Sequence, residues 1–111
     1  MNAPTETRIV TLLTTTTSIE EASRIARVLV RERLAACANI IPRISSVYRW
    51  DGEVQEEEET MLVIKTTATQ LDALEARVVE LHSYDVPELL CIPVVAGYQP
   101  YITWVNSEVE G

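Results

Sequence analysis

Hydrophobic and polar positions along this chain switch between two periods, and the switches mark its elements. Arg8 to Thr15 is β-branched and apolar and predicts one buried strand. Ile19, Ala22, Ile25, Ala26, Leu29 and Val30 then recur at helical spacing. Ser18 with Glu21 three residues on is a capping-box pattern, in which hydroxyl and carboxylate each take an orphan backbone N–H. Arg24, Arg27 and Arg31 fall on the other side of this helix; with Glu20 one turn before Arg24, they read as a solvated, paired face. Ala36 to Trp50 and Glu53 to Thr67 read as two long strands reversed by Asp51-Gly52, a strong hairpin signal. Thr69, with Asp72 three residues on, is expected to cap a second helix with the apolar stripe Leu71, Leu74, Val78 and Leu81. His82 to Glu88 is a loop, since Pro87 and its polar neighbours stop the helix. Leu89 to Ala96 is the last main strand, broken by Gly97. Pro100 opens a short final helix with Tyr101, Trp104 and Val105 on one face. Met1 to Thr7 is polar, contains Pro4 and reads as a disordered arm ahead of a single domain over residues 8–111.

The order strand, helix, strand, strand, helix, strand predicts an α+β, ferredoxin-like βαββαβ fold. It is one antiparallel sheet with two helices on one face, a long central hairpin and a short C-terminal helix. The prolines test this order. Pro42 lies in the second strand and Pro93 in the fourth, the two edge positions of that topology, where a missing N–H costs no ladder bond. The first and third strands carry none.

Strands usually run about five or six residues, and both arms of this hairpin run well past that. Its outer part carries Tyr48 and Trp50 on one arm and Glu53, Glu56, Glu57, Glu58 and Glu59 on the other. A protruding two-stranded arm is marginal alone in water, and two open sheet edges need cover. Assembly with further copies, closing head to tail into a ring, answers both needs. Solvation and protection of an edge account equally well for most of the glutamates.

The chain has 111 residues, 47% of them hydrophobic, as expected of one ordinary globular domain. A net charge of -8 argues against nucleic acid and anionic membrane surfaces as partners. With neither a leader pattern nor a membrane-spanning apolar run, a cytosolic location is expected. Two cysteines make a poor disulfide framework, so both are expected to be reduced. Enzyme signals are thin. No nucleophile elbow, Walker loop or metalloprotease helix occurs, and three glycines leave no phosphate cradle. A Cys37–His82 nucleophile pair has no marked third group to orient it.

A thiolate such as that of Cys37 suits soft copper, and the imidazole of His82, the single histidine, suits copper or zinc. Cys91 reads as a core filler. Lys65 is the single lysine beside eight arginines. It reads either as a point charge for an anion or as a strand-end lysine with its stem laid on apolar surface. Tyr84, Glu88 and Trp50 are candidates to line the same cleft. Trp50, Tyr101 and Trp104 read as interface packing.

Ala35-Ala36-Cys37-x-Asn39-Ile40-Ile41-Pro42, Ser46-x-Tyr48-x-Trp50-x-Gly52, Lys65-Thr66-Thr67, His82-x-Tyr84-x-x-Pro87-Glu88 and Tyr101-x-x-Trp104 follow one another in an order that resembles the CutA family of divalent-cation-tolerance proteins. The resemblance spans nearly the whole chain. It implies a ferredoxin-like subunit, a tight homotrimer held by the long hairpins and edge strands, and binding of copper or other divalent cations such as zinc. Glu59 stands where the family often carries an acidic residue near the cleft between subunits. The implied metal set is therefore Cys37, His82 and Glu59. One departure is visible: the family pattern His-Pro-Tyr reads His82-Ser83-Tyr84 here. Without the pre-proline restriction the loop is expected to hold His82 less rigidly. Two other readings stand beside metal binding: a trimeric sensor resembling the PII signalling proteins, with Lys65 contacting a small anion, and a trimeric scaffold anchoring another protein.

Overall fold

The computed structural model describes residues 7–109. Strand β1 (Ile9–Thr16) is followed by helix α1 (Ile19–Arg31), strands β2 (Cys37–Trp50) and β3 (Glu53–Thr67), a 3-10 turn (Ala68–Gln70), helix α2 (Leu71–Leu81), strand β4 (Leu90–Pro93) and helix α3 (Gln99–Glu108). All pairings are antiparallel and the sheet order is β2-β3-β1-β4. The expected ferredoxin-like topology is therefore present, with proline-bearing strands at both edges.

The strands alternate cleanly. Val10 and Leu12 of β1 and Leu62 and Ile64 of β3 lie on one face, where they meet Ala22, Ile25, Ala26 and Leu29 of α1 and Leu74 and Val78 of α2. Ile19 and Val30, expected in the stripe of α1, are 45% and 42% exposed. The four inner positions already fill the space above the sheet. On the opposite face α3 covers only one end, where Ile102, Val105 and Val109 pack on Ile9 and Ala36. The buried side of α3 is thus Ile102 and Val105 rather than Tyr101 and Trp104, which face outward with ring centroids 5.6 Å apart. Arg33 ties the end of α3 to α1: its guanidinium donates to the carbonyls of Glu108 at 3.0 Å and Ser107 at 2.8 Å. A cation there complements the helix C-terminus.

Several boundaries differ from the sequence reading. Strand β2 is interrupted by a bulge: the register with β3 shifts between Ile41 and Ile44, and Arg43 takes a φ of 59°. Pro42 cannot donate to the ladder, and the bulge absorbs that lost bond. Asp51 and Gly52, with φ of 51° and 78°, form the two-residue turn expected of Asp-Gly. Thr69 does not cap α2. The 3-10 turn intervenes and Thr69 exchanges a hydroxyl hydrogen bond with Thr67 instead. Strand β4 has four residues rather than eight, because its antiparallel partner β1 begins at Ile9, whose carbonyl accepts the last bond from Val94 N–H at 3.0 Å. Of the expected arm, residues 1–6 lie outside the described residues. Thr7 is anchored: its hydroxyl donates to the Val94 carbonyl at 2.6 Å and accepts from Ile9 N–H at 3.1 Å. No helix among the described residues is long and apolar enough to cross a membrane.

Candidate functional site

The residues that carry chemistry separate into two groups at opposite ends of the sheet. The first gathers where β1 turns into α1. Ser18 caps α1 by accepting from Glu21 N–H at 3.1 Å, as the capping pattern predicts. The carboxylate of Glu21 does not return to the Ser18 amide, as a capping box would have it, but bonds one residue further back and across to the loop after α2. One oxygen accepts from Thr17 N–H at 2.9 Å and from the Thr17 hydroxyl at 3.0 Å; the other accepts from Ser83 N–H at 2.8 Å. Glu21 is 7% exposed. Burial pushes its carboxyl up, but the donors from Thr17 and Ser83 outweigh this and bring it down from 4.5 to about 2. The charge is held by hydrogen bonds across the gap between α1 and the loop after α2.

His82 is the next member. It caps α2, its side chain is fully buried, and both ring nitrogens are occupied. Nδ1 accepts from Tyr84 N–H at 3.0 Å, which requires the Nε2–H tautomer; Nε2 then donates to the Thr15 carbonyl at 2.7 Å. At Ser83, where the resemblance implied a looser loop, a backbone hydrogen bond ties the loop to α1. His82 has an extended backbone, with ψ of 143°, and the Ser83 amide supplies a donor that a proline lacks. Tyr84 continues the chain of contacts by donating its hydroxyl to Glu59 Oε2 at 2.7 Å. Burial first, and the Glu59 carboxylate second, push its phenol well above the usual tyrosine range. Further out on the hairpin, the Tyr48 hydroxyl donates to Glu57.

The second group lies at the inner end of the hairpin. Cys37 pairs directly across from Lys65. The Lys65 ammonium donates to Asn39 Oδ1, and the Cys37 thiol points at the same oxygen from 3.9 Å. Tyr101 of α3 reaches the thiol, and burial together with that contact raises its phenol. Cys37 is half-buried and unbridged, as is the exposed Cys91.

Glu59 and Lys65 are six residues apart on β3, roughly 20 Å at a strand rise of about 3.3 Å per residue. Cys37 therefore does not meet His82 and Glu59 within one chain. Among the described residues no three of His, Cys, Asp and Glu come together as a metal cage. The alternative cleft is not assembled in one chain either: Tyr84 is at the far end from Lys65, Glu88 is exposed on the loop, and Trp50 is 68% exposed at the hairpin tip. The sequence reading gave Glu21 only a local capping role, Tyr101 only a packing role, and Asn39 no role beyond its place in the family motif. No spacing rule links Glu21 to an amide 62 positions away.

Between the two groups, the sheet face opposite α1 and α2 is open. The register puts Thr11, Leu13, Met61, Val63, Ile41, Leu90 and Ile92 on it. Ile41, Leu90 and Ile92 are 43%, 57% and 48% exposed. A contiguous apolar surface of this kind marks an interaction site.

Residues 10–108 match the family model described as CutA1 divalent ion tolerance protein. The chain is 47% identical over 96 residues to the divalent-cation tolerance protein CutA of Thermus thermophilus, covering 86% of this chain and 93% of that relative. It is 43% identical over 89 residues to protein CutA of Mus musculus, covering 80% of this chain but only half of the longer mouse protein. The crystal structure of CutA from Xylella fastidiosa superimposes with a TM-score of 0.91 at 38% identity, over 93% of this chain and 99% of that one.

Proposed function

We propose that this chain, which belongs to the CutA1 divalent ion tolerance protein family, is a non-catalytic cytosolic homotrimer that binds copper or another divalent cation between subunits. The uncovered sheet face carries the reading. Three apolar side chains on it stand about half exposed, and the exposed edge strand β4 borders it. Burying such a surface against copies of itself contributes about 25 cal/mol per Å². The ligand-type residues point the same way. The Cys37 thiol on β2 and the Glu59 carboxylate on β3 lie roughly 20 Å apart along the hairpin, and they reach a common ion only when two chains supply them, Cys37 from one and Glu59 from the next. His82 joins such a set only by giving up its bonds to Thr15 and Tyr84, so its place in this proposal is to fix Tyr84 and, through it, Glu59. Cytosolic residence fits two unbridged thiols.

The test pairs sedimentation equilibrium with calorimetric titration of the reduced protein by Cu(II), with Zn(II) as control. A trimeric mass that falls to monomer in Ile92→Arg, with saturable binding of about one ion per chain lost in Cys37→Ser, supports the proposal. A monomeric wild type, or copper binding that Cys37→Ser leaves unchanged, overturns it.

A further inference from the structure

Helix α1 carries a second surface, turned away from both the core and the open sheet face. Ile19, Val28, Arg24, Arg27 and Arg31 line a shallow groove there, with Glu20 as its single acidic residue. The sequence suggested that Glu20 would pair with Arg24 on a solvated, paired face. It does not. Arg24 sits 4.0 Å from Glu21 and donates to the Leu81 carbonyl at 3.3 Å. Among the described residues the side chains of Arg27 and Arg31 make no hydrogen bond or ion pair, and both residues are exposed. In a chain of net charge -8, three guanidinium groups line up on one groove while like charges at this spacing cost the helix a few tenths of a kcal/mol.

We propose that this groove docks an acidic peptide segment of a partner protein in extended conformation. The spacing favours a strand-like chain over a compact anion. From Arg24 to Arg31 the helix rises roughly 10 Å, and from Arg27 to Arg31 about 6 Å. Alternate side chains of an extended peptide repeat at about 6.6 Å, so carboxylates two positions apart match Arg27 and Arg31, each able to take a bidentate pair. A single phosphate needs guanidinium groups that converge, and these are strung along an axis. Ile19, 45% exposed, and the half-buried Val28 offer an apolar strip beside the charges for an aliphatic residue of the peptide. The surface lies on the helix side of the sheet, so docking leaves the proposed subunit interface free and does not depend on it.

The probe is a fluorescein-labelled peptide of alternating glutamate and valine, followed by anisotropy at low and high salt, with a lysine–valine peptide as control. The wild type is expected to bind the acidic peptide alone, more weakly as salt rises. Arg27→Ala with Arg31→Ala is expected to lose ~10-fold or more in affinity, and Arg27→Lys with Arg31→Lys to recover only part of it, because a lysine cannot pair bidentately. Alanine suits a helix interior, and circular dichroism checks that the variants stay folded. Equal affinity in wild type and the alanine variant overturns the proposal. So does tighter, arginine-dependent binding to a DNA duplex or to phosphatidylserine vesicles than to the peptide.

Discussion

Glu21 offers a direct test of how this fold is held at its functional end. Its carboxylate joins the start of α1 to the loop after α2 through the Thr17 and Ser83 donors, and it is buried while charged. One pKa unit corresponds to about 1.4 kcal/mol, so a carboxyl brought from 4.5 to about 2 stabilises the folded state by ~3 kcal/mol. The folded-state value lies below the unfolded one. The stabilisation is therefore complete above about pH 4.5 and drains away as pH falls through about 2. Urea unfolding of wild type and Glu21→Gln, at one protein concentration because assembly couples to stability, checks this. Near neutral pH the variant is expected to be weaker by about 3 kcal/mol, since a neutral amide accepts poorly at three donors and adds an unmatched N–H. As the solution is acidified through that window, the wild type loses its advantage and the two curves converge. Parallel curves between about pH 7 and about pH 2 would refute the reasoning, because they would mean that the charge of Glu21 contributes nothing specific to the native state.

Two further outcomes follow from the same contacts. Ser83→Pro meets the pre-proline requirement at His82, which is already extended with ψ of 143°. It deletes the donor to Glu21, so a net loss of about 1 kcal/mol is expected in urea unfolding near neutral pH, the lost charged hydrogen bond being partly offset by a stiffer unfolded chain. Leu62→Ala, at a position of 0% exposure on the face of β3 that packs in the core with α1 and α2, is expected to cost about 2–5 kcal/mol by the same measurement.

The topology was legible because its punctuation is local. Asp51-Gly52 turns the hairpin, and Pro42 and Pro93 declare the two edges from their own covalent structure. What the sequence hid is settled by tertiary partners. The apolar run Leu89 to Ala96 has the composition of an eight-residue strand, yet pairing stops where β1 does. On α3, Tyr101, Trp104 and Val105 make as good a helical stripe as Ile102, Val105 and Val109. Only the positions of Ile9 and Ala36 beneath the helix decide between them. The family resemblance correctly identified the chain and its sheet, but resemblance carries residue types, not the reach between them. That Cys37 and Glu59 occupy opposite ends of one face follows from strand rise and register once the pairing is known. That His82 is consumed by Thr15 and Tyr84 depends on a loop whose path no periodicity encodes.

The alternation of β3 puts the surface of the proposed assembly and the proposed ligands on one face of the sheet. Its odd-numbered residues Glu57, Glu59, Met61, Val63 and Lys65 fall on the face that α1 and α2 leave open, and Lys65 brings Cys37 alongside it. The face thus has an acidic end, an apolar centre and an end bearing a cation and a thiol. Packing that centre against the same face of a copy running the same way would set acid on acid. A head-to-tail arrangement around a closed ring instead carries the acidic end of one chain toward the thiol end of the next, satisfying charge and burial in one step. The bulge at Pro42 and Arg43 falls between these ends. Such a bulge bends a strand locally, and it falls where the apolar centre gives way to the glutamates. In the proposed trimer the metal ligands need not meet inside a subunit, because closing the ring is what brings them together.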